Sequence, residues 1–206
     1  MIRDWGISLE GRVTSILMEL ILASASPRRQ ELLRAACIPF TVKPAHVLEE
    51  HRAGESPVAY STRLARDKAG TVWNAITQDA KAFVLGADTI VVVDEHILEK
   101  PINLDDAARM LRMISGRAHQ VITSVCLIGE GVEDVRSETT TVYVNAISDR
   151  DIAEYVASGE PMDKAGAYAI QGIASRWITK IEGDYPNVVG LPVALVYRML
   201  QAHRAL

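Results

Sequence analysis

From Phe83 to Val93 the chain reads FVLGADTIVVV, an almost unbroken run of β-formers. A strand that is apolar on both faces has to be covered on both, so the run predicts a central strand of an α/β sheet. It is too short to span a bilayer, and Asp88 interrupts it. At 206 residues and 49% hydrophobic content, the chain can build one good-sized core or two small lobes around such a strand.

The elements expected around it follow from period and punctuation. Leu20–Ala23 reads as a buried strand. Ser26 as N-cap and Pro27 at the first helical position then open a helix with Leu32, Leu33 and Ala36 on its apolar face. Phe40–Lys43 is extended. Ser56-Pro57 starts a longer helix with the stripe Val58, Leu64, Ala65, Ala69, Val72 and Ile76. The central strand turns at Asp94-Glu95 and returns through Ile97-Leu98. A helix over Leu104–Ile114 precedes a second hairpin, Gln120–Ile128 and Thr139–Val144, about Gly129-Glu130-Gly131. A helix over Asp149–Ser158, a strand over Trp177–Ile181 and a helix over Leu191–Ala202 complete the order. No repeat or long linker divides it, which implies one α/β unit with two lobes around a cleft. Residues 1–17 show no period and carry no candidate residue, so they are expected to be an extension ahead of a domain over 18–206.

The 22 basic and 26 acidic residues nearly balance, which gives no reason to expect nucleic acid or an anionic membrane as partner. Any phosphate site must be local. Cys37 and Cys126 stand alone, without metal or disulfide spacing, and fit a reducing compartment. No signal-peptide layout or transmembrane run is read, so the cytoplasm is expected. The five histidines lack ligand spacing and are assigned no chemistry. Neither GxxxxGK[ST] nor GxGxxG occurs, so a nucleotide would have to be held in another way.

Several charged residues stand where an ordinary core would not put them. Arg28 and Arg29 fall in the opening turn of a helix, where free N–H groups already favour an anion; they form a phosphate cradle or a solvated basic turn. Asp88 inside the buried strand needs an ion pair, hydrogen bonds or a metal. Gly86, two residues earlier on the same face, would let a ligand approach the backbone. Lys68 lies on the apolar stripe of the long helix and either meets an anion or snorkels. Lys100, held extended by Pro101, is aimed over the Asp88 strand or is a surface hairpin lysine. Glu49 and Glu50, in a loop-like stretch, offer a second carboxylate for a magnesium site or are merely a charged loop.

The blocks ASASPRRQELL (23–33), LGADT (85–89), LEKP (98–101), KAGAYAIQG (164–172) and NVVGLP (187–192) together resemble the Maf family of nucleotide pyrophosphatases. The resemblance runs from about Leu20 to the C-terminus. It implies a twisted mixed β-sheet with flanking helices, two lobes around a cleft, similar to the inosine-triphosphate pyrophosphatase fold. It implies cleavage of a nucleoside triphosphate to the monophosphate and pyrophosphate, with Asp88 as proton acceptor and Glu49, Lys68 and Lys100 as further catalytic groups. Ser26 and Arg29 match the family's substrate-binding motif. A divalent cation, Mg2+ or Mn2+, is implied at Asp88 and Glu49. Arg28, Thr89 and Gln171 carry the residue types of the branch acting on dTTP and UTP. The rival expectations are a 7-methyl-GTP pyrophosphatase and a non-enzymatic, nucleotide-binding regulator of septum formation. A homodimer is frequent in the family.

Overall fold

In the computed structural model, residues 18–76 and 81–205 are described; the expected extension over residues 1–17 lies outside them. The central strand is β3, Ala82–Val93, buried along nearly its whole length. On one edge it pairs antiparallel with β5, Ala118–Gly129, from Val84↔Ile128 to Val92↔Gln120. Its other edge is shared. Strand β1, Glu19–Leu22, runs parallel to its first residues, ending at Leu22↔Leu85, and β4, His96–Leu98, pairs antiparallel with Val91–Val93. Among the described residues no strand covers Gly86–Ile90 on that edge, so the sheet opens there.

β2, Thr41–Val42, lies outside β1, and β6, Val132–Val144, and β7, Ile178–Glu182, continue beyond β5. The sheet is therefore mixed, in the order β2-β1-β3-β5-β6-β7 with β4 also on β3. The β5–β6 hairpin is longer than the alternation suggested and turns on two residues, Glu130 and Gly131, the latter at φ 68°. Polar residues such as Glu133, Asp134 and Arg136 hid the start of β6.

Among the described residues six α-helices cover the sheet: α1, Pro27–Ala35; α2, Pro57–Trp73; α3, Leu104–Ile114; α4, Asp149–Ala157; α5, Tyr185–Val189; and α6, Val193–Ala202. Short α5 was not foreseen, because Pro186 and Gly190 bracket it too tightly for a periodic signal. The Ser56 hydroxyl accepts from Ala59 N at the start of α2, as its N-cap position requires. Two apolar stripes are shorter than expected: that of α1 stops before Ala36, its exposed C-cap, and that of α2 starts after Val58, which is 45% exposed.

Strand alternation sends odd-numbered β3 residues to one face and even-numbered ones to the other. On the odd face Phe83, Leu85 and Ala87 pack with α6 and Leu33, whereas Val91 and Val93 pack with α3 and α4. These are two separate cores on one face. On the even face α2 lies along the strand, with Ala65, Ala69 and Val72 over Val84, and Tyr60 and Leu64 over Ile90 and Val92. Each fully buried leucine or valine here is worth about 1.5–3 kcal/mol.

Gly86 lets α2 come this close. A Cβ there would stand 2.2 Å from Ala65 O and 2.7 Å from Ala69 N, both backbone atoms. The missing side chain thus makes room for a helix, and the expectation of a ligand at Gly86 is corrected.

Candidate active site

Both faces of the sheet turn polar at one level of β3, the level where its outer edge is open. On the even face Asp88 lies beside Ser124, whose hydroxyl is 2.7 Å from that of Ser61 on α2. On the odd face Thr89 meets Thr123, their hydroxyls 3.0 Å apart, and Thr123 donates to Asn187 O. The two odd-face cores part here. A cleft of about 420 Å³ occupies the gap, and Ser26, Arg28, Arg29, Glu49, Lys68, Asp88, Thr89, Lys100 and Gln171 all line it.

Lys68 organises the acidic side. Its Nζ lies 2.7 Å from Asp88 Oδ1 and 2.6 Å from Glu49 Oε1, and Lys100 Nζ reaches Glu49 Oε2 at 3.7 Å. Lys68 and Asp88 are both buried, so the helical spacing that put Lys68 on an apolar stripe marked a real partner. Burial alone would raise the Glu49 pKa, but the hydrogen bond and charge of Lys68, with Lys100 and Arg29 beyond, bring it below the ordinary value. Glu50, by contrast, faces a separate groove with His46, Arg63 and Trp73. Of the two candidates, Glu49 joins the cluster.

Arg29 is more committed than a loose phosphate ligand would be. From the first turn of α1 its Nε donates to Gly190 O at 2.8 Å, its Nη1 to Ser24 Oγ and Ala87 O, and its Nη2 to Thr89 Oγ1. Ala87 O belongs to the open edge of β3, so the guanidinium stands in for the missing strand. Among the described residues, partners take all but one of its N–H groups. Burial pulls the Arg29 pKa down against the upward pull of Asp88 and Glu49; a guanidinium stays charged regardless.

Neighbouring Arg28 points across the cleft, with Nη1 3.3 Å from Asp163 Oδ2. The Ser26 hydroxyl makes no cap bond to α1, which keeps it available to the cleft. Gln171 is exposed on the opposite wall, formed by three 3₁₀ turns over Glu160–Asp163, Ala165–Ala167 and Ile173–Arg176. Glu160 holds that wall together, accepting from Tyr155 Oη at 3.0 Å and from Ile173 N at 3.0 Å.

Sequence reasoning missed Tyr60, Glu99, Asp163 and Lys164 in the cleft. Burial, together with the hydrogen bond that the Tyr60 hydroxyl donates to Glu99 Oε1, pushes the Tyr60 pKa up. Asp163 pairs with Arg28 and with Lys164. Glu99 and Lys164 stood inside the blocks already noticed, but Tyr60 and Arg28 lie too far in sequence from their partners Glu99 and Asp163 to leave a local signal.

Among the described residues no helix is long and apolar enough to cross a membrane. The family model described as "Maf-like protein" matches residues 19–203. A Koribacter versatilis protein named dTTP/UTP pyrophosphatase is 63% identical over 89% of this chain and 94% of its own length. Proteins of the same name from Vibrio cholerae and Thermococcus onnurineus are 47% and 46% identical, over 86% and 87% of this chain and 94% and 95% of theirs. A solved structure of the Staphylococcus aureus Ham1 protein aligns over 90% of this chain and 99% of its own at a TM-score of 0.46 and 12% identity. With the family model spanning nearly the whole described chain, this protein belongs to the Maf-like family.

Proposed function

We propose that this chain is a nucleoside triphosphate pyrophosphatase that converts dTTP and UTP to their monophosphates and pyrophosphate in the cytoplasm. The observation that carries the reading is the Asp88–Lys68–Glu49 cluster with Lys100 beside it, set in a cleft that also holds an apolar end. The printed names of the relatives support it.

In this mechanism Lys68 and Lys100 bind phosphate oxygens and offset the charge that grows on the leaving pyrophosphate. Asp88, held by Lys68, orients a water and takes its proton. The water oxygen bonds to the α-phosphorus as the bond from that phosphorus to the α–β bridging oxygen breaks. Arg29 fixes the geometry of the cleft floor and turns its spare N–H to the phosphates, with Ser26 beside it. Asp88 and Glu49, which meet at the Lys68 ammonium, are the carboxylates that would hold Mg2+ or Mn2+; there the ion would neutralise phosphate charge and polarise the attacked group.

Base choice falls to Arg28, Thr89 and Gln171. Uracil and thymine are neutral and pair a carbonyl with an N3–H, which a Gln171 amide matches with its own donor and acceptor. The cationic 7-methylguanine ring would meet Arg28 without a carboxylate at position 171 to offset it. Pyrophosphate release from dTTP, UTP, CTP and 7-methyl-GTP, with and without Mg2+ or Mn2+, tests the proposal. The expected ranking puts dTTP and UTP first; a preference for 7-methyl-GTP, or no release at all, overturns it.

A further inference from the structure

The cleft is polar at one end and apolar at the other. Beyond Thr89, the apolar end is bounded by Val91, Val121, Ala165, Tyr168, Ile170 and Val188. Val91 and Val121 are cross-strand partners that form its floor. Two residues before Val121, on the same face of β5, is His119, which is 3% exposed. Its Nε2 lies 2.8 Å from Tyr168 Oη, and its Nδ1 is buried with no partner among the described residues. The triphosphate-binding cluster does not use this pair.

The orphan nitrogen decides which way the pair is protonated. Burial lowers the His119 pKa to about 4, so at neutral pH the ring is neutral and carries one N–H. If that proton were on Nδ1, a buried donor would go unsatisfied, whereas on Nε2 it bonds to Tyr168 Oη and leaves only a bare lone pair at Nδ1. Orphan N–H groups are the rarer case in folded proteins. With Nε2–H as donor, Tyr168 Oη is the acceptor, and its own proton must point elsewhere. Tyr168, 6% exposed, is among the residues that line the cleft, and among the described residues its hydroxyl has no hydrogen-bond partner besides His119, so the cleft is the direction left for the proton.

We propose that His119, as the Nε2–H tautomer, turns the Tyr168 hydroxyl proton into the apolar end of the cleft, where it donates to a carbonyl oxygen of the pyrimidine ring. This rests on the pyrimidine triphosphate reading above. Tyr168 is then a specificity residue, His119 the residue that positions it, and Gln171, three residues on, works on the same ring. A ring between valines and alanines is desolvated, so one donor placed at its carbonyl discriminates more than it would in water.

Two measurements test this. With the histidines 15N-labelled, NMR correlations of the His119 ring, assigned by their loss in His119→Gln, are expected to show a protonated Nε2; a protonated Nδ1 overturns the proposal whatever the substrate. Tyr168→Phe is expected to raise KM for UTP about fivefold to tenfold with kcat little changed, the size of one neutral hydrogen bond. By calorimetry it should weaken UMP binding alike while pyrophosphate binds as in the wild type, which also shows that the variant's site is folded. Unchanged KM and UMP affinity sink the contact. A wild type inactive on UTP sinks the functional reading, and the ring contact with it, while the NMR result stands on its own.

Discussion

At Lys68 one ammonium serves two carboxylates, and the substitution Lys68→Met shows what that means. By spacing alone the change would improve an apolar stripe. In the structure it would strip Asp88, 6% exposed, of the partner that holds its charge in the sheet. Breaking a buried pair from one side costs about 3–5 kcal/mol, so Lys68→Met is expected to lower the urea unfolding midpoint as well as raise KM for the triphosphate. Asp88→Asn is the gentler change: Asn keeps the shape, its amide oxygen can still accept from Lys68, and Glu49 still balances the ammonium. Here the expected loss is in turnover, at least about a hundredfold for a missing general base, with a well-folded protein by calorimetry. Near-normal pyrophosphate release from Asp88→Asn would make Asp88 structural. Residues such as these were legible because a charge on an apolar face breaks a pattern. Arg28 was legible only in part, since Asp163 lies far along the chain and on another wall.

Among the elements, the closeness of α2 to β3 decides whether the cluster forms. Gly86 permits the approach, and Lys68 and Asp88 are carried on the two elements that meet there. Gly86→Ala would force a methyl against Ala65 O and Ala69 N, and a helix backbone cannot yield as a side-chain tip can. Overpacking of this kind costs about 1–3 kcal/mol; lifting α2 also separates Lys68 from Asp88, so activity should fall with stability. Pyrophosphate release and a urea titration on the same sample check this, and normal values in both would show that α2 shifts freely. The sequence marks Gly86 as special without saying for whom, because a missing side chain looks the same whether a ligand or a helix takes its place. The main strands and helices were readable from period and caps. The open edge of β3 was not, because it depends on where β1 stops and β4 begins, a tertiary register that neither strand encodes by itself.

At the scale of the whole molecule, the cleft that parts the two odd-face cores also places a histidine where water does not reach, and this sets how the fold responds to acid. The sequence offered no reason to single out His119, since histidine spacing says nothing about depth. Burial lowers its pKa from 6.5 to about 4. Between those values the unfolded chain takes up a proton that the folded chain refuses, so unfolding gains and stability falls as pH drops from 6.5 toward 4. From neutral pH to about pH 5 the linkage amounts to about 2 kcal/mol. Carboxylates act in a lower window: Glu49, lowered through Lys68, and Glu55, held at about 2 by Arg63, give stability that is present above their ordinary value of 4.5 and is lost as pH falls through their folded values. The His119 window lies above the carboxylate one on the pH axis, the two meeting between about pH 4.5 and about pH 4. His119→Gln removes the first and leaves the second, so the variant is expected to lose less of its urea midpoint than the wild type between pH 7 and about pH 4 and to rejoin the wild-type slope below it. Parallel curves across both windows would show that His119 titrates in the folded protein as freely as in the unfolded chain.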